Sequence, residues 1–233
     1  MNWVDVCNRL FGPDHRVVEE AQLLRGTATF DGQPVDVVGT TGHAAIGYAL
    51  ALRQARAVLD TIAASPGRPI VLLIDTQGQR LQRIDELLGI HRAMAHLGCC
   101  IDLARRRGHR VIGLVYDQAL SGGFITTGLM ADACHALPEA EIRVMRLPAM
   151  ARVTKLPQEL LERLSQSNPV FAPGVEHYAA MGAVASLWRG DLAAALRHAL
   201  ADGSTQDRRA VDGEARGGRR LAAATIRRVL DAA

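Results

Sequence analysis

Two glycine-containing segments are the parts of this chain best suited to chemistry. Residues 75–79 (Asp-Thr-Gln-Gly-Gln) follow an apolar run at 70–74, and residues 121–124 (Ser-Gly-Gly-Phe) follow a second apolar run at 111–116. Glycine lets a ligand approach the backbone closely, and unhindered backbone N–H groups bind anions. Two such turns at the ends of neighbouring strands could bind one oxyanion between them.

The elements around these turns predict an α/β protein. Both apolar runs lack polar alternation, which is typical of strands covered on both faces. Residues 85–107 lie between them and carry apolar side chains at helical spacing, so a parallel strand, helix, strand unit is predicted. Upstream, residues 44–64 predict a helix, and 23–30 with 35–39 predict a hairpin that turns at Asp31-Gly32. Further helices are predicted at 158–165 and 191–200.

Composition limits the classes of protein without choosing among them. The 233 residues can form one large core, so we expect one domain over 1–233 with a helical C-terminal region from about residue 156. A formal net charge of +3 is too small to indicate nucleic-acid binding. We find no membrane-spanning run and no signal-peptide pattern, and therefore expect a cytoplasmic protein with no membrane partner.

The sequence predicts no metal site. His91 and His96 share a predicted helix, but their spacing does not place two ligands on one face. The cysteines show no paired metal-ligand spacing, and the adjacent pair is read as packed thiols. They are Cys7, Cys99, Cys100 and Cys134.

Two other readings of the second turn stay open. Residues 119–123 approximate the nucleophile elbow of serine hydrolases, with Ser121 as nucleophile and His177 or His198 as base. Against this, the glycines continue into a predicted helix start, which favours backbone donors over a strained serine. Alternatively, Gly122 and Gly123 could simply permit close packing of a helix on a strand.

Arginines are clustered near the C-terminus. They form either a solvated tail or a binding site for an acidic protein or a phosphorylated cofactor. They are Arg208, Arg209, Arg216, Arg219, Arg220, Arg227 and Arg228.

The order of motifs resembles the crotonase-type carboxyltransferases, and in particular the gamma subunits of biotin-independent malonate decarboxylases. The segments that carry the resemblance are 37–41, 74–78, 89–90, 119–124, 136–145 and 168–175. Gln77 and Gln79 replace the proline and phenylalanine of biotin-dependent relatives, and 146–150 (Arg-Leu-Pro-Ala-Met) replaces a glycine-rich stretch. Both departures fit a relative that does not transfer carboxyl groups to biotin.

The resemblance implies a crotonase-like (ClpP/crotonase) fold of repeated ββα units with flanking helices. It also implies decarboxylation of a malonyl thioester through an enolate. We expect backbone N–H groups of Gly78, Gln79, Gly122 and Gly123 to stabilise the enolate oxygen. Ser121 and Thr76 are second candidates, for orienting the carboxylate or a water.

The resemblance implies further components. It indicates a homologous beta subunit, an acyl carrier protein subunit bearing a CoA-like thioester group, and an acyl carrier protein transferase subunit. No cofactor bound covalently to this chain and no biotin are expected. Two alternatives remain: a carboxyltransferase subunit of a biotin-dependent acyl-CoA carboxylase, or a non-catalytic scaffold for the beta subunit.

Overall fold

The structure is a computed structural model that describes residues 1–167, 174–201, 206–218 and 221–232. Residues 168–173 of the last motif, and Arg219 and Arg220, lie outside the described residues. The described strands are β1 (Val18–Glu20), β2 (Leu23–Phe30), β3 (Gln33–Thr40), β4 (Ala44–Ile46), β5 (Ile70–Gln79), β6 (Val111–Leu120), β7 (Ala133–Ala136), β8 (Glu141–Arg143) and β9 (Ser186–Leu187).

Helices cover both faces of the sheet that these strands form. They are α1 (Trp3–Phe11), α2 (Tyr48–Ala64), α3 (Arg83–Leu87), α4 (Ile90–Arg106), α5 (Ser121–Thr127), α6 (Leu147–Thr154), α7 (Gln158–Ser165), α8 (Val175–Ala180), α9 (Leu192–Ala201), α10 (Arg209–Ala215) and α11 (Ala222–Asp231), with a 3₁₀ turn at Gly128–Met130. None of the described helices is both long enough and apolar enough to span a membrane.

The sheet runs in the order β1-β2-β3-β5-β6-β7-β9, and its strands from β3 onward are parallel. The long strands β5 and β6 each have two halves with different partners. The first half of β5 pairs with β3 and its second half with β4, while the end of β6 pairs with β8. The β5–β6 register shifts between Ile74 and Thr76, and such irregularities bend strands. We call this point, where partners change, the corner.

Side chains of β5 alternate between two apolar cores, as expected of a strand covered on both faces. Ile70, Leu72 and Ile74 pack on the α2 and α4 side, with Val58, Leu97 and Ile101 among their neighbours. Val71 and Leu73 pack on the other side, with residues of α1 and α9. The sequence prediction of a buried parallel sheet is therefore confirmed.

The hairpin at Asp31-Gly32 and the helix at 158–165 are also confirmed, since Asp31 and Gly32 both have positive φ (47° and 77°) and α7 has the predicted bounds. The predicted helix at 44–64 is wrong over its first residues. Ala44–Ile46 is strand β4, which pairs with β5, and α2 begins only at Tyr48.

The helix predicted at 85–107 is interrupted at Gly89, whose φ of 79° is left-handed. This backbone conformation ends α3 and separates it from α4. The first glycine segment also differs from its prediction, because residues 75–79 continue strand β5 beyond the corner instead of turning away from it.

Candidate functional site

The structure brings the six predicted site residues together. Thr76, Gly78 and Gln79 lie at the carboxyl end of β5, and residues 121–123 form the first turn of α5 directly after β6. A Cβ on Gly78 would lie 2.9 Å from Cβ of Ser121, and a Cβ on Gly123 would lie 2.9 Å from Oγ1 of Thr76. The two segments can touch in this way only because both positions are glycine.

Gln79 connects the two segments through its side chain. The backbone N–H of Gly122 donates a hydrogen bond to Oε1 of Gln79 at 3.2 Å. The first N–H groups of a helix have no partner within the helix, and Leu120, which precedes α5, has no side-chain oxygen to cap it. A neutral, exposed side-chain amide therefore binds the donor that an anionic ligand oxygen would use.

The buried side chain of Thr76 holds the end of β5 in place. Its buried hydroxyl donates to the carbonyl oxygen of Ala44 at 2.7 Å and accepts from the N–H of Gly78 at 3.0 Å. The hydroxyl proton is thus used to join β4 to β5, and the Gly78 N–H is used within its own segment.

Ser121 has a left-handed backbone, with φ of 50°, at the junction of β6 and α5. This strand-to-helix geometry is that of a nucleophile elbow, so the serine is more strained than the sequence predicted. Its Oγ, however, donates to the carbonyl oxygen of Val144, and no imidazole in the described parts of the chain hydrogen-bonds to it. His198 lies on α9, which packs with α1. The Ser-His pair of a hydrolase is not assembled here.

Sequence reasoning missed a second group of polar side chains at the corner. His43, Asp75 and Asp117 each offer a ligand atom, and these atoms all lie within 4.8 Å of one another. Burial raises the pKa of Asp75 above its usual range. The available signal was that both aspartates follow the apolar halves of adjacent strands.

The described C-terminal arginines are largely paired inside the chain. Arg208 bonds to Asp212 at 3.0 Å, and Arg209 bonds to Asp207 at 2.6 Å. Arg216 donates to the carbonyl oxygen of Gly182 at 3.1 Å. The first two contacts are local to α10, whereas the bond of Arg216 joins the end of α10 to the residue that follows α8 and Met181.

Comparison with known proteins identifies the family of this chain. Residues 41–233 match the family model described as malonate decarboxylase gamma subunit. The malonyl-S-ACP:biotin-protein carboxyltransferase MADD of Malonomonas rubra is 35% identical over 151 residues, which are 61% of this chain. The aligned region is 52% of that protein, so the chain spans about half the length of this relative.

Solved structures of malonate decarboxylases also resemble this chain. A Pseudomonas malonate decarboxylase hetero-tetramer in complex with coenzyme A contains a chain that is 29% identical, with a TM-score of 0.81 and coverage of 98% of this chain and 97% of that chain. The Pseudomonas MdcD-MdcE hetero-dimer contains one with a TM-score of 0.78, 28% identity and the same coverage, 98% and 97%.

The transcarboxylase 12S structure shares the fold, with a TM-score of 0.73 at 23% identity over 85% of this chain and 41% of that one. The expected crotonase-like carboxyltransferase architecture is therefore confirmed. From its fold, its glycine turns and its match over residues 41–233, the chain belongs to the malonate decarboxylase gamma subunit family.

Proposed function

We propose that this chain works with a homologous beta subunit to decarboxylate malonyl-S-acyl carrier protein to acetyl-S-acyl carrier protein and carbon dioxide. The observation that carries the proposal is the contact between the two glycine segments, in which the Gly122 N–H is bonded, among the described residues, to the exposed side chain of Gln79. A substrate oxygen can replace that side chain without disturbing the core.

The chemistry requires an oxyanion site of this kind. The bond from C2 to the carboxylate breaks, carbon dioxide leaves, and the electron pair delocalises onto the thioester oxygen as an enolate. A proton then adds at C2 to give the acetyl group. Preorganised N–H groups stabilise the oxygen most when its negative charge is greatest, and losing one such donor costs about 10²–10³ in rate.

Within this site we assign different roles to the glycine segments. The amides of Gly122 and Gly123 form one side of the oxyanion site. The segment Gly78-Gln79 forms the other side, but not through the N–H of Gly78, which is bonded to Thr76. Thr76 acts through Gly78, because its hydroxyl accepts from the Gly78 N–H and donates to Ala44. Ser121 holds the start of α5 through its bond to the Val144 carbonyl.

The relatives support the proposed partners. The Pseudomonas MdcD-MdcE hetero-dimer contains a chain that aligns with nearly all of this one, so we assign a homologous beta subunit as partner. The name of the Malonomonas rubra relative specifies a malonyl-S-ACP substrate, which supports a thioester carried on an acyl carrier protein. An acyl carrier protein transferase subunit, the cytoplasmic location and the single-domain organisation stay predictions.

The experiment compares Gly122→Ala with the matched control Gly98→Ala in the assembled complex. A Cβ at Gly122 would meet only the flexible end of Gln79, at 2.8 Å, whereas a Cβ at Gly98 in α4 has its nearest neighbour at 3.7 Å. Gly122→Ala places a methyl group in the oxyanion site, so kcat for decarboxylation is expected to fall about 10²-fold. Activity within about threefold of the unmodified complex, with normal assembly, would contradict the proposal.

A second candidate function is carboxyl transfer to a biotin-protein, favoured by the name of the Malonomonas rubra relative. The two reactions are distinguished by adding avidin. Biotin-independent decarboxylation predicts unchanged turnover, whereas transfer to biotin predicts loss of turnover and a need for a biotinylated carrier. Undiminished turnover by the beta subunit alone would instead assign this chain the role of a scaffold.

A further inference from the structure

The side chain of Asp75, the first residue of the 75–79 segment, lies on the face of β5 opposite to that of Thr76. Its side chain is only 3% exposed, and Oδ2 accepts a hydrogen bond from the backbone N–H of His43 at 2.8 Å. The other oxygen, Oδ1, is buried and accepts no hydrogen bond of normal geometry from the described residues, although the backbone N–H of Gln118 lies close enough to stabilise the carboxylate. A buried carboxylate oxygen is costly unless a donor or a cation satisfies it.

The neighbours of this oxygen are ligand groups. Nε2 of His43 lies 3.8 Å from Oδ1 of Asp75 and 3.4 Å from Oδ2 of Asp117. An ion bound at about 2.1 Å by three such atoms separates them by about 3.0–3.4 Å, from octahedral to tetrahedral geometry. Of the two separations that involve His43, one already falls in that range and the other exceeds it by a fraction of an ångström, while the two carboxylate oxygens lie within 4.8 Å of each other.

The fold holds these three groups together at the corner. His43 lies in the turn between β3 and β4, Asp75 lies in β5, and Asp117 lies in β6. These strands are parallel neighbours, so their corner positions stack side by side. The side chains of His43 and Asp117 are 50% and 44% exposed, which opens a path from solvent to the buried oxygen of Asp75.

We propose that His43, Asp75 and Asp117 bind a divalent first-row transition-metal ion of the Zn²⁺ type. One imidazole nitrogen and two carboxylate oxygens form a borderline donor set that suits such ions, with water completing the coordination. Because the ion would join three segments at the corner, on the face of β5 opposite to Thr76, it stabilises the fold and does not take part in decarboxylation. The proposal is therefore independent of the proposed function.

The test titrates ZnCl₂ into the full, untagged, chelator-treated chain by isothermal calorimetry and records the thermal midpoint with and without Zn²⁺. A second titration uses Mn²⁺ followed by electron paramagnetic resonance, because manganese has little affinity for the exposed thiol of Cys99. We expect one saturable site and a higher midpoint with Zn²⁺.

His43→Gln and Asp117→Asn are expected to abolish this site while the chain still folds, since both side chains are partly exposed. The matched controls His91→Gln, Asp60→Asn and Cys99→Ser alter exposed residues elsewhere and should leave binding unchanged. The absence of saturable binding for both ions, or equal binding by the unmodified chain and both corner variants, would overturn the proposal.

Discussion

The side-chain carbonyl of Gln79 accepts the hydrogen bond of the Gly122 amide at 3.2 Å, although the two residues are 43 positions apart in sequence. This bond joins the end of β5 to the start of α5 and places a neutral oxygen where the proposed enolate oxygen would lie. A ligand must displace it at the cost of one neutral hydrogen bond, which the stronger charge-assisted bond to an enolate oxygen offsets.

Removing the Gln79 amide should favour the substrate. In the assembled complex, Gln79→Ala leaves the Gly122 N–H open, so we expect kcat/KM to rise about three- to tenfold, the value of one neutral hydrogen bond. Gln79→Glu should act in the opposite direction, because a carboxylate competes more strongly for the amide and repels the malonyl carboxylate.

The control is Gln77→Ala, which alters an exposed side chain two residues away and should change kcat/KM by less than a factor of about two. If Gln79→Ala lowers kcat/KM, Gln79 binds the substrate directly instead of competing with it.

Gly123→Ala tests the close packing of α5 on β5 through stability, without an activity assay. A Cβ there would lie 2.9 Å from Oγ1 and 3.0 Å from Cγ2 of Thr76, and 3.1 Å from Cα of Gly78. Gly123→Ala should therefore lower the free energy of unfolding by about 1–3 kcal/mol through overpacking. Urea unfolding measures this directly, with Gly98→Ala as the unstrained control. An unchanged urea midpoint for Gly123→Ala would show that α5 does not need this close contact.

Asp85 fixes the start of α2 from a distant segment. Its buried carboxylate bonds to Arg80 at 2.6 Å and 2.9 Å, and it accepts from the N–H of Tyr48 at 2.8 Å. Asp85→Ala should lower the free energy of unfolding by roughly 2–4 kcal/mol. This loss is smaller than that expected for breaking a fully buried ion pair, because the side chain of Arg80 is 39% exposed. The free energy of unfolding from denaturant titration measures this, and Glu86→Ala, at an exposed neighbour, should have little effect.

The hydrogen bonds from Arg80 also lower the pKa of Asp85. Its contribution is therefore fully present above the unfolded pKa, about 4, and is lost as pH falls through the folded value. Equal losses of unfolding free energy in Asp85→Ala and Glu86→Ala would contradict the assignment of Asp85 as the residue that fixes the start of α2.

His135 should make stability depend on pH. It is buried against Trp188, with a ring separation of 4.8 Å, and burial lowers its pKa to about 3. Below about pH 6.5 the unfolded chain binds a proton that the folded chain does not, so this residue removes up to about 1.4 kcal/mol of stability per pH unit of acidification.

Replacing this histidine should flatten the dependence. We expect His135→Phe to show a smaller slope of unfolding free energy against pH between about pH 5 and 6.5, whatever its absolute stability. Denaturant titrations at several pH values measure the slope, and His91→Gln at an exposed site serves as control. An identical slope in His135→Phe and the unmodified chain would show that His135 binds protons equally in the folded and unfolded states, which would contradict the lowered pKa.

The sequence was sufficient for the elements whose pattern is local. The uninterrupted apolar runs at 70–74 and 111–116 predicted buried parallel strands, and Asp31-Gly32 predicted the hairpin turn. It was insufficient for Ala44–Ile46, where a short apolar segment merges with the helix that follows. Whether such a segment is strand or helix depends on a partner strand, here the second half of β5.

The same distinction applies to the site. That Gly78 and Gly122 lie close together follows from the rule that neighbouring parallel strands end at one edge of a sheet. The bond from Gly122 to Gln79 lies beyond the register shift between β5 and β6, and the approach of His43 to Asp75 depends on the pairing of β4 with β5. No local pattern encodes a register shift, because it arises from which strands pair.

Side chains alternate between the two faces of β5, so the consecutive residues Asp75 and Thr76 make contacts on opposite faces: Asp75 with His43, and Thr76 with Ala44 and Gly78. Inserting one residue between Leu72 and Asp75 would exchange the faces, turning a carboxylate toward α5 and a hydroxyl toward His43. An insertion at Gly67, where the turn has open space around it, would leave both arrangements intact. The chain can therefore change in length before β5, whereas a change in length between residues 70 and 78 would disturb both faces at once.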